Sequence, residues 1–245
     1  MTTDNLEAIR RGDYCEVYNN GSKTTLVAFG GLGHQIGQPV FEFRKILKPL
    51  EANLVFFKDS SRSWYHKPIP EFGDDIHGKA TRINEILDSL PQGPRRFIGS
   101  SAGGFAALIF SRLVSNVADC LLFGPQTFLD QRSCNIMNDK RWPRLVKMIP
   151  ISDFMNVSSI AKLNQARTRI IVGSSCSEDM RHALYAASKL PIELHVLSRA
   201  GHNPARELKS AGVLRDVLEE FVSGKEISDR KPLKIANRIA SLQKI

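Results

Sequence analysis

Gly99-Ser100-Ser101-Ala102-Gly103 decides how this chain is read: the stretch fits G-x-S-x-G and stands between a short apolar run and a helix start made of small residues. A serine oxygen that must stand clear of the backbone at a sharp strand-to-helix turn needs small neighbours, and glycine supplies them. Ser101 is therefore the candidate nucleophile, with Ser100 at the x position. So short a pattern also describes ordinary turns, and the flanks carry the weight. Arg95-Arg96-Phe97-Ile98 reads as a strand entering the turn, and residues 104–110 read as a buried helix leaving it. Ala102, Gly103 and Gly104 let that helix lie close against a sheet.

Outward from the turn, strand and helix patterns alternate. Residues 14–18 and 24–29 are strand-like runs separated by Asn19-Asn20-Gly21-Ser22, a turn composition that predicts a hairpin. Residues 40–50 have helical spacing, 53–57 form a compact apolar strand, and 75–90 return to helix with Ile76, Ile83, Ile86 and Leu87 on one side. Beyond the serine turn come strands at 119–123, 169–172 and 192–197, a helix at 180–190 and a long helix at 205–222. Such alternation implies crossover connections and a mostly parallel sheet with helices on both faces, an α/β fold.

A chain of 245 residues, 42% hydrophobic and 24% charged, can bury one full core. The expected organisation is a single domain over 1–224, with residues 127–165 as a small cap insertion and 225–245 as a basic helical tail. The tail places Ile235, Ile239 and Leu242 on one helical face, a candidate homo-oligomer contact. The opening residues have no apolar core of a secretory signal, and no apolar run is long enough to span a bilayer, so the expectation is a cytoplasmic protein with no membrane role. Cys15, Cys120, Cys134 and Cys176 are scattered without metal-type spacing and read as free thiols. The net charge of +9 fits an anionic substrate, yet the cations are spread along the chain without a nucleic-acid motif; Arg141-Trp142-Pro143-Arg144 is the one local cluster.

A serine hydroxyl needs a base, and the base needs a partner that fixes its tautomer. His202, in Ala200-Gly201-His202-Asn203-Pro204, follows the strand 192–197 and shares the carboxyl edge of a parallel sheet with Ser101. His195 falls inside that strand and reads as packed, while His182 falls on a helix. The acid is expected after the strand 169–172, where Asp179 precedes Glu178 in preference because its shorter chain has fewer rotamers to order; Asp130 is third. An Asp at that place also serves as a helix N-terminal partner. Oxyanion donors are expected from the amide of Ala102 and from Gly31 or Leu32, in the glycine-rich Gly30-Gly31-Leu32-Gly33-His34. The loop at 58–65 reaches the same edge, where Arg62 could hold a carboxylate or phosphate and Trp64 and Tyr65 an apolar or sugar face.

Taken together, these residues resemble the α/β-hydrolase superfamily, with Gly99-Ser100-Ser101-Ala102-Gly103 as nucleophile elbow, Gly30-Gly31 as oxyanion loop, an acid near Asp179, and Gly201-His202 near the end of the match over 24–222. The resemblance implies a serine-dependent acyl-transfer site without cofactor or metal, acting on a small acyl substrate and usually hydrolytic. The same superfamily holds acyltransferases, peptidases and non-catalytic binding proteins. Two features depart from the pattern: Cys176 stands where the acid often does, and Phe29-Gly30 replaces the usual His-Gly of the oxyanion loop.

Overall fold

The computed structural model describes residues 9–11, 13–32, 41–161, 163, 166–230 and 233–235. Its strands are β1 (Ile9–Arg11), β2 (Cys15–Tyr18), β3 (Thr25–Phe29), β4 (Asn53–Phe57), β5 (Arg95–Ser100), β6 (Val117–Phe123), β7 (Arg167–Gly173), β8 (Ile192–Leu197) and β9 (Leu233–Ile235). Helices α1 (Arg44–Leu47), α2 (Ile76–Asp88), α3 (Ala102–Leu113), α4 (Gln131–Ile136), α5 (Pro143–Val146), α6 (Ser177–Lys189), α7 (Pro204–Ser210) and α8 (Leu214–Ser223) are interleaved with them. The strands form one sheet in the order β1-β2-β4-β3-β5-β6-β7-β8-β9. From β4 to β8 every pairing is parallel, and β2 and β9 join antiparallel at the two sides.

Both faces of the sheet are covered, because successive strand residues point to opposite sides. Val27, Phe29, Phe97, Cys120, Leu122, Ile170 and Val172 pack with α2, α3 and α6. Their alternates Leu26, Ala28, Ile98, Leu121, Phe123 and Ile171 pack with Leu47 of α1, Leu208 of α7 and Val217, Leu218 and Phe221 of α8. Helix α3 is buried from Ala102 through Arg112, as its apolar sequence requires of a helix in the middle of a domain.

Four local expectations are corrected. Strands β2 and β3 do not pair with each other; β2 pairs with β4, and β3 lies inside between β4 and β5. The reason is Asn53 at the start of β4, whose Oδ1 accepts from the amides of Asn20 and Ser22 and draws the intervening turn onto β4. The helix expected at 205–222 is two helices, broken where Gly212 takes φ 75°. Of the helix expected at 40–50, only Arg44–Leu47 forms, and Val40 lies outside the described residues. Ile235, expected in a helical tail, belongs to the strand β9 paired with β8, and Ile239 and Leu242 lie outside the described residues. No helix among the described residues is long and apolar enough to cross a membrane.

Candidate active site

Strand β5 ends at Ser100, α3 begins at Ala102, and Ser101 between them holds φ 53° and ψ −119°. A side chain in that region strains the backbone by about 1–3 kcal/mol, so the surroundings must over-determine the turn. They do so through glycine: a Cβ on Gly99 would stand 2.2 Å from the Gly103 carbonyl oxygen, and one on Gly103 would stand 2.1 Å from that of Phe29. The Ser101 amide donates to the Phe123 carbonyl at 2.9 Å, and the Ser101 carbonyl accepts from Phe105 at 3.0 Å to open the helix.

The Ser101 hydroxyl is hydrogen-bonded to Gln126, with Oγ 3.1 Å from Nε2 and 3.3 Å from Oε1. Trp64 settles which way the amide faces, since an indole N–H can only donate and it lies 3.3 Å from Oε1. Gln126 therefore accepts from Trp64 and donates through Nε2 to Oγ. Gln126 is 2% exposed and follows β6 at the same sheet edge. Sequence reasoning missed it, because Gly124-Pro125-Gln126 reads as a plain loop; its position just past the strand beside the elbow was the available signal.

His202 lies on the loop between β8 and α7, and its Nδ1 is 2.7 Å from Asp179 Oδ2 in the first turn of α6. With the carboxylate accepting at Nδ1–H, Nε2 is left as the basic nitrogen. The hydroxyl of Ser101 and the imidazole of His202 are not hydrogen-bonded to one another, although both sit beside the loop after β6. A Cβ on Gly124 of that loop would lie 3.2 Å from both Asp179 Oδ2 and the His202 carbonyl oxygen, two residues before Gln126 meets Ser101. Of the other acids weighed from sequence, Glu178 bonds Ser177 and Arg181, and Asp130 caps α4 and holds Asn156. His195 is buried in β8 against Glu193, matching the packed reading.

Asp179 has a second partner. Arg141 Nη1 donates to its Oδ1 at 2.7 Å, and the same guanidinium contacts Asp139 through Nη2 at 2.8 Å and Nε at 3.1 Å. Burial pushes the Asp179 carboxyl up, but the hydrogen bonds and charges of His202 and Arg141 hold it below the usual carboxylate range. Cys176, Asp179 and His202 bring ligand-type atoms within 4.8 Å of one another. Both Asp179 oxygens are already engaged by His202 and Arg141, so this cluster is organised as a hydrogen-bonded dyad.

The glycine loop after β3 lies against the elbow: a Cβ on Gly31 would be 3.3 Å from the Ser100 carbonyl oxygen. The Gly31 amide donates to Glu42 Oε2 at 3.0 Å, so of the two amides expected to face an oxyanion this one is already engaged. Burial raises the Glu42 carboxyl to about 7, partly offset by that amide. Gly33 and His34 lie outside the described residues.

The loop 58–65 is folded around Asp59, which accepts from the amides of Ser61, Ser63 and Tyr65. It does not present Trp64 and Tyr65 as a substrate wall. Tyr65 is fully buried with its hydroxyl on the carbonyls of Gly30 and Phe57, and Trp64 is 1% exposed behind Gln126. Each ring has apolar area that the sheet can bury and a polar tip that finds an internal partner, which draws both inward. Arg62 stays half-buried with φ 50°, and its Nε is buried without a hydrogen-bond partner.

No known family model matches the chain, and no curated protein matches it by sequence. Solved structures do. The capsule O-acetyltransferase of Neisseria meningitidis serogroup A, as a mutant in complex with CoA, superposes with a TM-score of 0.66 at 15% identity over 89% of this chain and 94% of that one. An esterase from Pyrobaculum calidifontis gives 0.61 at 16% identity over 90% and 84%, and the esterase PF2001 of Pyrococcus furiosus gives 0.57 at 17% over 90% of each. The parallel sheet, the strained serine between strand and helix, and these three superpositions agree: the chain has the α/β-hydrolase fold.

Proposed function

We propose that the protein is a serine-dependent acyl-transfer enzyme that cleaves a carboxylic ester or related acyl bond through an acyl-enzyme on Ser101. The observation that carries this reading is the strained Ser101 elbow at the sheet edge that also holds the His202–Asp179 dyad at 2.7 Å. Gln126 Nε2 donates to Oγ, and the hydroxyl's own proton, which faces Gln126 Oε1 at 3.3 Å here, turns to His202 Nε2 once substrate draws the two together. Ser101 Oγ then attacks the carbonyl carbon while its proton passes to Nε2, and Asp179 steadies the imidazolium. The resulting oxyanion is held by the amide of Ala102 and that of Leu32, Gly31 being engaged by Glu42. Collapse expels the alcohol, which takes the proton from Nε2, and a second nucleophile repeats the steps to free the acyl group. The 127–165 segment serves as the cap, Arg62 as a contact for an anionic substrate group, and the cytoplasm as the site of action.

With water as second nucleophile the enzyme is an esterase; with an alcohol it is an O-acyltransferase. The likeness to the capsule O-acetyltransferase structures, with TM-scores of 0.63–0.66, supports the second form. A fluorophosphonate probe tests the shared mechanism: wild type is expected to label, Ser101→Ala to lose labelling entirely, and His202→Ala to label at least a hundredfold more slowly. A folded wild type that does not label refutes it. Release of thiol from acetyl-CoA that depends on an added alcohol separates transfer from hydrolysis.

A further inference from the structure

We propose that Arg141 is a positioning residue for the reaction, reaching Asp179 from the segment between β6 and β7 and fixing both the orientation and the charge of that carboxylate. The inference rests on the serine-dependent reading above.

Each oxygen of Asp179 has its own partner: Oδ2 accepts from His202 Nδ1 and Oδ1 from Arg141 Nη1, both at 2.7 Å. The carboxylate plane cannot turn without breaking one of these bonds, so Arg141 sets the direction from which Asp179 meets the imidazole. The guanidinium is itself fixed. Asp139 receives Nη2 and Nε of Arg141, and its Oδ1 also accepts the Arg141 amide at 2.8 Å.

Asp139 is anchored in turn to His182 Nε2 at 2.8 Å. The Thr127 amide donates to His182 Nδ1 at 3.0 Å, which places the proton of the neutral ring on Nε2, facing Asp139, and Phe128 stacks on the ring at 3.9 Å. Asp179 and His182 are three residues apart on α6, hence on one face of it. The Asp139–Arg141 pair therefore grips a single helix face at two points, one of which is the acid of the dyad.

The charges explain why an arginine is needed there. Asp179 is fully buried, and the ionisable groups around it are His202 from the loop after β8, Arg141 and Asp139 from the β6–β7 segment, His182 from α6 itself, and Cys176 at the start of α6. Without Arg141, two buried carboxylates would face each other with no permanent cation between them, and each would resist ionisation.

The test is the rate of fluorophosphonate labelling of Ser101 from pH 4 to 9 in wild type, R141K and R141Q, with the Asp179 carboxyl titrated in parallel by carbon-13 NMR. R141Q is expected to label about tenfold more slowly at pH 7. Its acid-side midpoint and its Asp179 titration are both expected to move upward by about half to one pH unit. R141K keeps the charge without the fork, so it is expected to label several-fold slower with the midpoint nearly restored. A wild-type rate and midpoint in R141Q overturn the proposal, as does a slower rate with an unmoved carboxyl titration, or a midpoint in R141K displaced as far as in R141Q. If folded wild type fails to label, the serine reading falls, while the Asp179 titration still decides whether Arg141 governs the carboxylate.

Discussion

Replacing Ser101 by glycine should make the protein more stable than replacing it by alanine. Both variants lose the hydroxyl and its bonds to Gln126, so those contributions cancel in the comparison. What differs is the backbone at φ 53° and ψ −119°, where a Cβ is strained and glycine is not. Relief of that strain is worth about 1–3 kcal/mol. Glycine returns about 0.5–1 kcal/mol through its freer unfolded chain. The net expectation is about 1 kcal/mol in favour of S101G, or roughly 2–4 °C in Tm for a chain of this length. Urea titrations of both variants at equal slope, followed by circular dichroism, read the difference directly. S101G equal to or less stable than S101A would refute the claim that the elbow stores strain at its serine.

Gly103→Ala should destabilise by about 3 kcal/mol or more and slow Ser101 labelling by about a hundredfold, because its Cβ overlaps the Phe29 carbonyl and pushes α3 and the Ala102 amide away. Gly201→Ala, whose Cβ meets nothing within 4 Å, is the control and should change stability little in the same melts. Burial pushes the Glu42 carboxyl up from its ordinary 4.5 to about 7, so the fold favours the protonated form and that contribution is lost as pH rises from 4.5 through 7. E42Q should therefore match wild type near pH 4.5 and exceed it in Tm by a few degrees at pH 8, and a gap independent of pH would refute this.

Much of the architecture was legible because it is written in local periodicity. The apolar runs of β3, β5 and β7 need two covered faces, and the small residues after Ser101 admit a helix close to the sheet. What escaped depends on contacts between distant residues. No spacing rule reveals that Asn53 captures the turn at residues 20–22, so a hairpin was the natural expectation for β2 and β3. Asp179 stood out as a partner for His202 because chain order and a helix start narrow the candidates to two neighbouring carboxylates, and the structure pairs it with that imidazole. Gln126 and Glu42 carry no motif, and their roles arise from a side-chain contact with Ser101 and with the Gly31 amide. Trp64 and Tyr65 lie on the loop read as reaching the sheet edge but face inward, because Gln126 and the carbonyls of Gly30 and Phe57 give their polar tips internal partners that no local pattern announces.

The link from Trp64 through Gln126 to Ser101 gives the protein an internal optical reporter. Of its two tryptophans, Trp142 is 40% exposed, whereas Trp64 is sealed inside with its indole nitrogen one amide away from the Ser101 hydroxyl. Any group attached to that oxygen must re-seat the amide and alter the electric field on the indole. If Ser101 is acylated as proposed, fluorescence of the unlabelled chain is expected to change as the acyl group arrives and leaves, and an emission unchanged on fluorophosphonate labelling would refute the link.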